Sequence, residues 1–136
     1  MIRVLKNAQV YTPFFLGKKD ILVIADKIAR VADAINEYDG LPEAEIFDFA
    51  GKILIPGYID VHAHITGGGG EDGPASRVPE SQLSVFLQNG ITTVVGLLGT
   101  DGVTKSIENL IAKARALTEE GITVYTLTGS YGYPTN

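Results

Sequence analysis

The chain has 136 residues and a formal net charge of −5, and it contains no cysteine. That length suffices for one ordinary domain, or for a small domain and part of another. The acidic balance argues against a nucleic-acid partner, because neutralising phosphates takes clustered lysine and arginine. Disulfide and thiolate chemistry are excluded. No apolar run approaches the roughly 18 residues of a membrane span. No signal-peptide block opens the chain either, so we expect a cytoplasmic protein without a membrane partner.

The first part of the chain contains short β-type clusters separated by turn residues, which is typical of a small all-β domain. The predicted elements are strands around Ile2 and Val10, a hairpin over residues 20–33 that turns at Asp26–Lys27, and two short strands flanking Ala50–Gly51. We therefore expect residues 1–55 to form a small antiparallel sheet or β-sandwich.

From residue 56 to residue 136 the pattern becomes strand–helix–strand–helix–strand. The predicted strands cover residues 58–65, 91–98 and 122–129, and the predicted helices cover residues 78–90 and 104–121. Pro79 suits the first position of a helix, and Gly90 and Gly121 suit the position just after one. Such alternation with short loops predicts a parallel sheet, in either an open doubly wound fold or a (β/α)₈ barrel.

The only two histidines of the chain, His62 and His64, lie one residue apart on the first of these strands. Alternate residues of a strand point to one face, so Asp60 is expected beside them, and Val61, Ala63 and Ile65 on the opposite face. Two imidazoles so placed can converge on one metal ion, and imidazole is a common ligand of catalytic zinc. The alternative is a pair of hydrogen-bonded structural histidines; the neighbouring aspartate and the following glycine-rich loop favour the metal.

A glycine run follows at once and contains a formal G-x-G-x-x-G from Gly68 to Gly73. A dinucleotide site is disfavoured, because Glu71 and Asp72 place negative charge where a pyrophosphate would bind and Pro74 precedes any helix. The run is also no P-loop, since no lysine with serine or threonine follows. Two interpretations remain, a flexible turn and a loop whose bare backbone lets a ligand approach with Glu71 as its charged partner.

Polar residues also follow the next two predicted strands, Thr100 and Asp101 after one, Ser130 and Tyr131 after the other. Active sites of barrels and open sheets lie at the carboxyl ends of parallel strands. Three polar clusters at equivalent places therefore favour a binding site over ordinary turns. The lysines and arginines of the second helix are expected on its solvated face.

The stretch PGYIDVHAH at residues 56–64 resembles the signature of the amidohydrolase superfamily, and the small β-domain before it matches that superfamily. The segments GGGGEDGPASRVPE and GITTVVGLLGTDG are more specific and resemble the isoaspartyl dipeptidase family, zinc enzymes that cleave β-aspartyl dipeptides. The resemblance runs from about residue 20 to the end of the sequence. It implies a small β-sandwich followed by the first three β/α units of a TIM-like barrel.

The resemblance also implies roles for individual residues. His62 and His64 would bind one zinc of a two-zinc centre. The substrate pocket would be lined by Gly69, Gly70 and Glu71, and Glu71 would contact the α-ammonium group of the substrate. Thr100 would also contact the substrate. Tyr131 would hydrogen-bond the scissile carbonyl oxygen and stabilise the oxyanion.

A catalytic zinc usually takes three protein ligands, and a complete barrel takes roughly 250 residues. The sequence is therefore expected to be an amino-terminal portion, inactive alone, with the remaining ligands elsewhere. Its exposed third strand favours association, so a homo-oligomer is expected. Two alternatives stay open. One is a non-catalytic binding or assembly module derived from an amidohydrolase. The other is a hydantoinase- or dihydroorotase-like enzyme, which the Gly-Gly-Gly-Gly-Glu loop disfavours.

Overall fold

The computed structural model describes residues 1–101 and 104–129, and these fall into two compact units. The first unit ends at Pro56 and the second begins at Gly57. Within the described ranges, no helix is both long and apolar enough to cross a bilayer.

The first unit is a single five-stranded sheet. Its strands are β1 (Ile2–Tyr11), β2 (Phe15–Ile24), β3 (Lys27–Ala32), β4 (Ala44–Asp48) and β5 (Ile53–Leu54). β1, β2 and β3 pair antiparallel, whereas β4 and β5 both pair parallel to β1. The expected antiparallel pairing is therefore right for the first three strands and wrong for the last two. Parallel pairing needs a crossover. Residues 33–43 supply it, anchored by Ile35, which is fully buried against Val4 and Leu22.

The hairpin between β2 and β3 turns one residue earlier than its sequence predicts. The two strands are joined by Ala25 and Asp26, and Ala25 has a φ of 54°. Because the left-handed region tolerates asparagine and glycine better than alanine, composition alone points to the wrong pair here.

The described part of the second unit confirms the predicted α/β alternation. Its elements are β6 (Tyr58–Ala63), α1 (Leu83–Gln88), β7 (Ile91–Gly96), α2 (Ile107–Glu120) and β8 (Thr123–Thr126). The three strands form a parallel sheet in the order β6-β7-β8. The carboxyl ends of the strands consequently meet at one edge, where the polar loops leave the sheet.

Both helices pack on one side of this sheet. Their buried residues join a core with residues of the strands and the following loops, namely Ala63, Ile65, Phe86, Val94, Leu98, Leu110, Ala114, Leu117 and Ile122. α2 is capped at both ends: the Ser106 hydroxyl accepts a hydrogen bond from the Asn109 amide at 3.2 Å, and Gly121 ends the helix with a φ of 118°. Capping fixes where α2 starts, just after the loop that follows β7.

The first helix is shorter than predicted. It begins at Leu83, so Pro79 is not its first residue. The preceding segment is held elsewhere: the Val78 amide donates to the carbonyl of Gly68 at 2.8 Å, and the Ser81 amide donates to the carbonyl of Ile65 at 3.1 Å. These long-range bonds outweigh the local preference for a helix and tie the segment to the loop after β6.

Candidate active site

The end of β6 brings the two histidines together. Their ring centroids are 5.3 Å apart with an interplanar angle of 70°. The backbone amide of His62 donates to Oδ1 of Asp60 at 3.0 Å. Both imidazoles therefore lie within reach of a common point, as the spacing of the two residues predicts.

The strand does not alternate strictly, however. Asp60 pairs with Val94 and Ala63 with Gly96, so three steps on β6 face two on β7. Such a bulge re-aims the side chains beyond it. Ala63 is buried while Val61 is 70% exposed. Of these two apolar residues, only Ala63 is packed into the core.

The His64 imidazole lies between two glycines. A β-carbon on Gly68 would lie 3.3 Å from Cγ of His64, and one on Gly99 would lie 3.0 Å from its Nδ1. Nδ1 is buried and has no hydrogen-bond partner among the described residues. A buried nitrogen without a partner is costly unless a ligand satisfies it, so this ring has the chemistry of a metal ligand.

Two histidines alone do not complete a metal centre. Among the described residues, no group of three or more histidine, cysteine, aspartate or glutamate side chains is placed to hold a metal ion. A catalytic zinc takes three protein ligands. The described part of the chain thus fits a metal through two ligands and would need others to complete the set.

The glycine run is a folded loop with its own internal bonds. The Ser76 hydroxyl accepts from the amide of Gly70 at 3.1 Å and donates to the carbonyl of Gly73 at 2.9 Å. A single 3₁₀ turn, Pro74–Ser76, closes the loop. Gly69 has a φ of 74°, and a β-carbon there would lie 2.4 Å from the Ser76 carbonyl oxygen. A glycine is therefore required at this position by both conformation and space.

Glu71 and Thr100 are the polar pair that joins this loop to the loop after β7. The Thr100 hydroxyl donates to Oε1 of Glu71 at 2.8 Å. The pKa of the exposed Glu71 carboxyl is lowered by hydrogen bonds from its own backbone amide and from the Thr100 hydroxyl, and to a smaller extent by the electrostatic influence of His64. Glu71 is accordingly a stable anion, suited to meet a cationic group.

A cavity of about 300 Å³ lies beside Glu71, which is enough room for a small molecule. Its lining residues are Gly70, Glu71, Pro74, Arg77, Thr100, Asp101 and Thr104. A second cavity of about 430 Å³ lies under the glycine loop and includes Asp60 and His64 in its wall. His64 thus borders one hollow and the Glu71–Thr100 pair borders the other, and glycines of the loop line both.

The structure places most of the site residues that the sequence singles out. Six of them lie at the carboxyl edge of the sheet, namely His62, His64, Gly69, Gly70, Glu71 and Thr100. Tyr131, and Ser130 beside it, lie outside the described residues. Sequence patterns did not point to Arg77 or Lys105. The Arg77 guanidinium bonds Asp101 and Thr104, and the Lys105 ammonium donates to the Thr66 carbonyl. The sequence signal that could have pointed to these two residues is a basic side chain within or just after a glycine-rich loop.

Comparison with known proteins shows what the chain as a whole is similar to. No protein-family model matches the chain. In a crystal structure of beta-aspartyl dipeptidase from Fervidobacterium islandicum AW-1, 49% of aligned residues are identical, with a TM-score of 0.92 over 99% of this chain and 36% of the other. The same enzyme in complex with the beta-Asp-Leu dipeptide gives 47% identity and a TM-score of 0.90, over 99% of this chain and 34% of that one. The chain is related to beta-aspartyl dipeptidase, an amidohydrolase.

Sequence comparison finds a second kind of relative. A dihydroorotase of Listeria monocytogenes serotype 4a (strain HCC23) is 35% identical over 134 residues, which cover 95% of this chain and 30% of that protein. A D-hydantoinase shares the fold with a TM-score of 0.64 at 20% identity. The chain spans about a third of the length of the relatives it matches. These relatives are hydrolases, and the shared part includes the first unit as well as the βαβαβ unit.

Proposed function

We propose that the protein carrying this chain hydrolyses the isopeptide bond of β-aspartyl dipeptides. The observation that carries the proposal is the 49% identity to a beta-aspartyl dipeptidase across 99% of the chain. The local geometry supports it, because an ionised Glu71 held by Thr100 lies beside a small cavity at the edge that carries the histidine pair. A β-aspartyl dipeptide has a free α-ammonium group, for which such a carboxylate is the natural partner.

The proposed cofactor is zinc, with His62 and His64 binding one ion of a two-ion centre. The unpartnered buried Nδ1 of His64 and the mutual approach of the two rings support this. Bound zinc would polarise the scissile amide and provide hydroxide at neutral pH. Its further ligands would come from residues other than those the structure describes.

The chain's own residues would bind and orient the substrate. Glu71 would hold the α-ammonium group, Thr100 would fix the carboxylate of Glu71, and the backbone of Gly69 and Gly70 would border the substrate without side chains in the way. Tyr131 would donate its phenolic hydrogen to the scissile carbonyl oxygen and stabilise the charge that develops there. Holding the substrate in one orientation is what lets a hydroxide attack the amide carbon.

A cyclic-amide hydrolase is the second candidate, because the dihydroorotase relative is 35% identical over 134 residues. Dihydroorotate is an anion with no ammonium group. The wall of the cavity carries the carboxylate of Glu71 beside the Asp101–Arg77 ion pair, so its excess charge is negative and disfavours an anion that has no cationic group. The ammonium group of the dipeptide matches that charge, and this favours the dipeptide.

The metal assignment is tested by the double variant His62→Ala, His64→Ala of the full-length protein. We expect loss of at least one zinc per chain in metal analysis and loss of nearly all hydrolysis of β-Asp-Leu, because two of the ligands are gone. Asn109→Ala, on α2, is the control and should keep both. A double variant with the wild-type zinc content would sink the assignment.

A further inference from the structure

Arg77 bridges the two loops that border the cavity beside Glu71. Its Nη2 lies 3.2 Å from Oδ2 of Asp101 and donates to the hydroxyl of Thr104 at 2.6 Å. The stem of Arg77 packs on the glycine loop itself, because a β-carbon on Gly70 would lie 3.4 Å from its Cγ. One side chain thus touches both walls of the cavity.

The anchor on the far side, Asp101, is itself held by hydrogen bonds. Oδ1 of Asp101 accepts from the Thr104 amide at 2.8 Å, and its other oxygen accepts from the Thr104 hydroxyl. The Asp101 side chain is 18% exposed, against 37% for that of Arg77. A guanidinium that meets a fixed, partly buried carboxylate loses less freedom than one that reaches a mobile partner.

The same two loops are joined a second time by the Glu71–Thr100 hydrogen bond, and Thr100 is the neighbour of Asp101 in sequence. Apart from the Lys105 bond to the Thr66 carbonyl at its start, the glycine loop therefore has two side-chain links to the loop after β7 among the residues that line this cavity. Removing the Arg77 link leaves the exposed Glu71–Thr100 hydrogen bond as the remaining side-chain link at the cavity wall, so the carboxylate of Glu71 would have to be ordered again when a ligand binds.

We propose that Arg77 is a positioning residue that holds the carboxylate of Glu71 ready for the substrate's ammonium group; this inference rests on the proposed function. It acts through the two loops and not by touching the substrate, since its guanidinium is already paired with Asp101. Loss of Arg77 would weaken recognition of the ammonium end and leave the chemistry at the scissile bond intact.

The test compares a β-aspartyl dipeptide with its N-acetylated analogue, which has no ammonium group, in the full-length protein. Arg77→Gln should raise KM for the free dipeptide about tenfold with kcat almost unchanged, the size expected for one charged hydrogen bond. The inhibition constant of the acetylated analogue should stay within about twofold. Arg77→Lys keeps the positive charge but has a different donor geometry, so it should recover part of the loss. Arg115→Gln, an exposed arginine on α2, is the matched control.

A double variant decides whether Arg77 acts through Glu71. If it does, Glu71→Gln combined with Arg77→Gln should bind the free dipeptide no more weakly than Glu71→Gln alone. Additive losses would overturn the inference, and so would an equal loss on both ligands in Arg77→Gln. If Arg77→Gln does not fold, Arg77→Lys replaces it in these measurements, because it keeps the positive charge. It should then raise KM for the free dipeptide by less than about tenfold and leave the inhibition constant of the acetylated analogue within about twofold.

Failure of the proposed function gives a different result. Should Glu71→Gln weaken binding of the free and of the acetylated dipeptide equally, the proposed role of Glu71 is wrong.

The link between the loops is then measured directly by amide hydrogen exchange in the unliganded protein. Arg77→Gln should speed exchange of the Gly70 amide at least about tenfold, because that amide is bonded within the loop that Arg77 holds. Unchanged exchange would show that Arg77 does not order the loop.

Discussion

At the residue scale, the charge of Glu71 is the property on which the proposed recognition of the dipeptide depends. Its pKa is lowered by its own backbone amide first, then by the Thr100 hydroxyl, and also by His64. A group with a lowered pKa in the folded protein keeps its charge, and the interactions of that charge, until the pH falls below the usual glutamate range. Recognition by Glu71 should therefore fail only on the acid side.

Thr100→Val tests that dependence with a substitution of nearly equal volume. It removes the hydroxyl that favours the charged carboxylate, so the pKa of Glu71 should rise and the acid limb of dipeptide binding should move to higher pH. NMR titration of the Glu71 carboxyl carbon measures the shift. Thr118→Val is the control, since the Thr118 hydroxyl donates to the Ala114 carbonyl within α2. A Glu71 pKa that stays in place or falls would refute the role of Thr100.

The residue types of the candidate site could be predicted from the sequence better than the contacts that join its loops. Alternating His62 and His64 on a strand, followed by glycines, indicate a metal and a close ligand approach from sequence alone. The bulge after Asp60 could not be predicted, because it depends on the pairing with β7. Arg77 was missed for a similar reason: its partner is 24 positions away in sequence, so no local pattern marks it.

At the scale of elements, the conformation of the glycine loop is set by hydrogen bonds within the loop and by hydrogen bonds to the segment before α1. The same bonds explain why that helix begins at Leu83. Strand and helix alternation in the second unit follows from hydrophobic periodicity and could be predicted. The parallel pairing of β4 and β5 with β1 could not, because it is decided by a crossover whose buried anchor, Ile35, lies in a polar stretch.

Two glycines of this loop provide a matched pair for measuring how tightly it packs. Gly69 and Gly73 have φ values of 74° and 96°, so alanine is strained at both. Only at Gly69 would the new methyl group meet another atom, the Ser76 carbonyl oxygen at 2.4 Å. Gly69→Ala should therefore lower the free energy of unfolding by at least about 1 kcal/mol more than Gly73→Ala.

Denaturant titration of both variants gives that difference directly. Equal losses would mean that the loop yields to the methyl group, and that its close packing does not define the shape of the site. A larger loss in Gly73→Ala would contradict the account of the loop altogether.

At the scale of the whole molecule, the parallel sheet of the second unit is covered by helices on one side only within the described residues. Val61, Ile59 and Tyr125 are each more than half exposed, at 70%, 65% and 63%. Parallel sheets are normally covered on both faces. Together with a chain that spans about a third of its relatives' length, this makes the complete protein the proper object for any test of activity.

The central claim is a zinc-dependent hydrolase of β-aspartyl dipeptides, and its most direct test is a comparison of two substrates. The complete protein is assayed with β-Asp-Leu and with dihydroorotate, before and after removal of metal by a chelator and again after zinc is restored. We predict hydrolysis of β-Asp-Leu that is lost with the metal and regained with zinc, and no turnover of dihydroorotate. Turnover of dihydroorotate without cleavage of β-Asp-Leu would contradict the account.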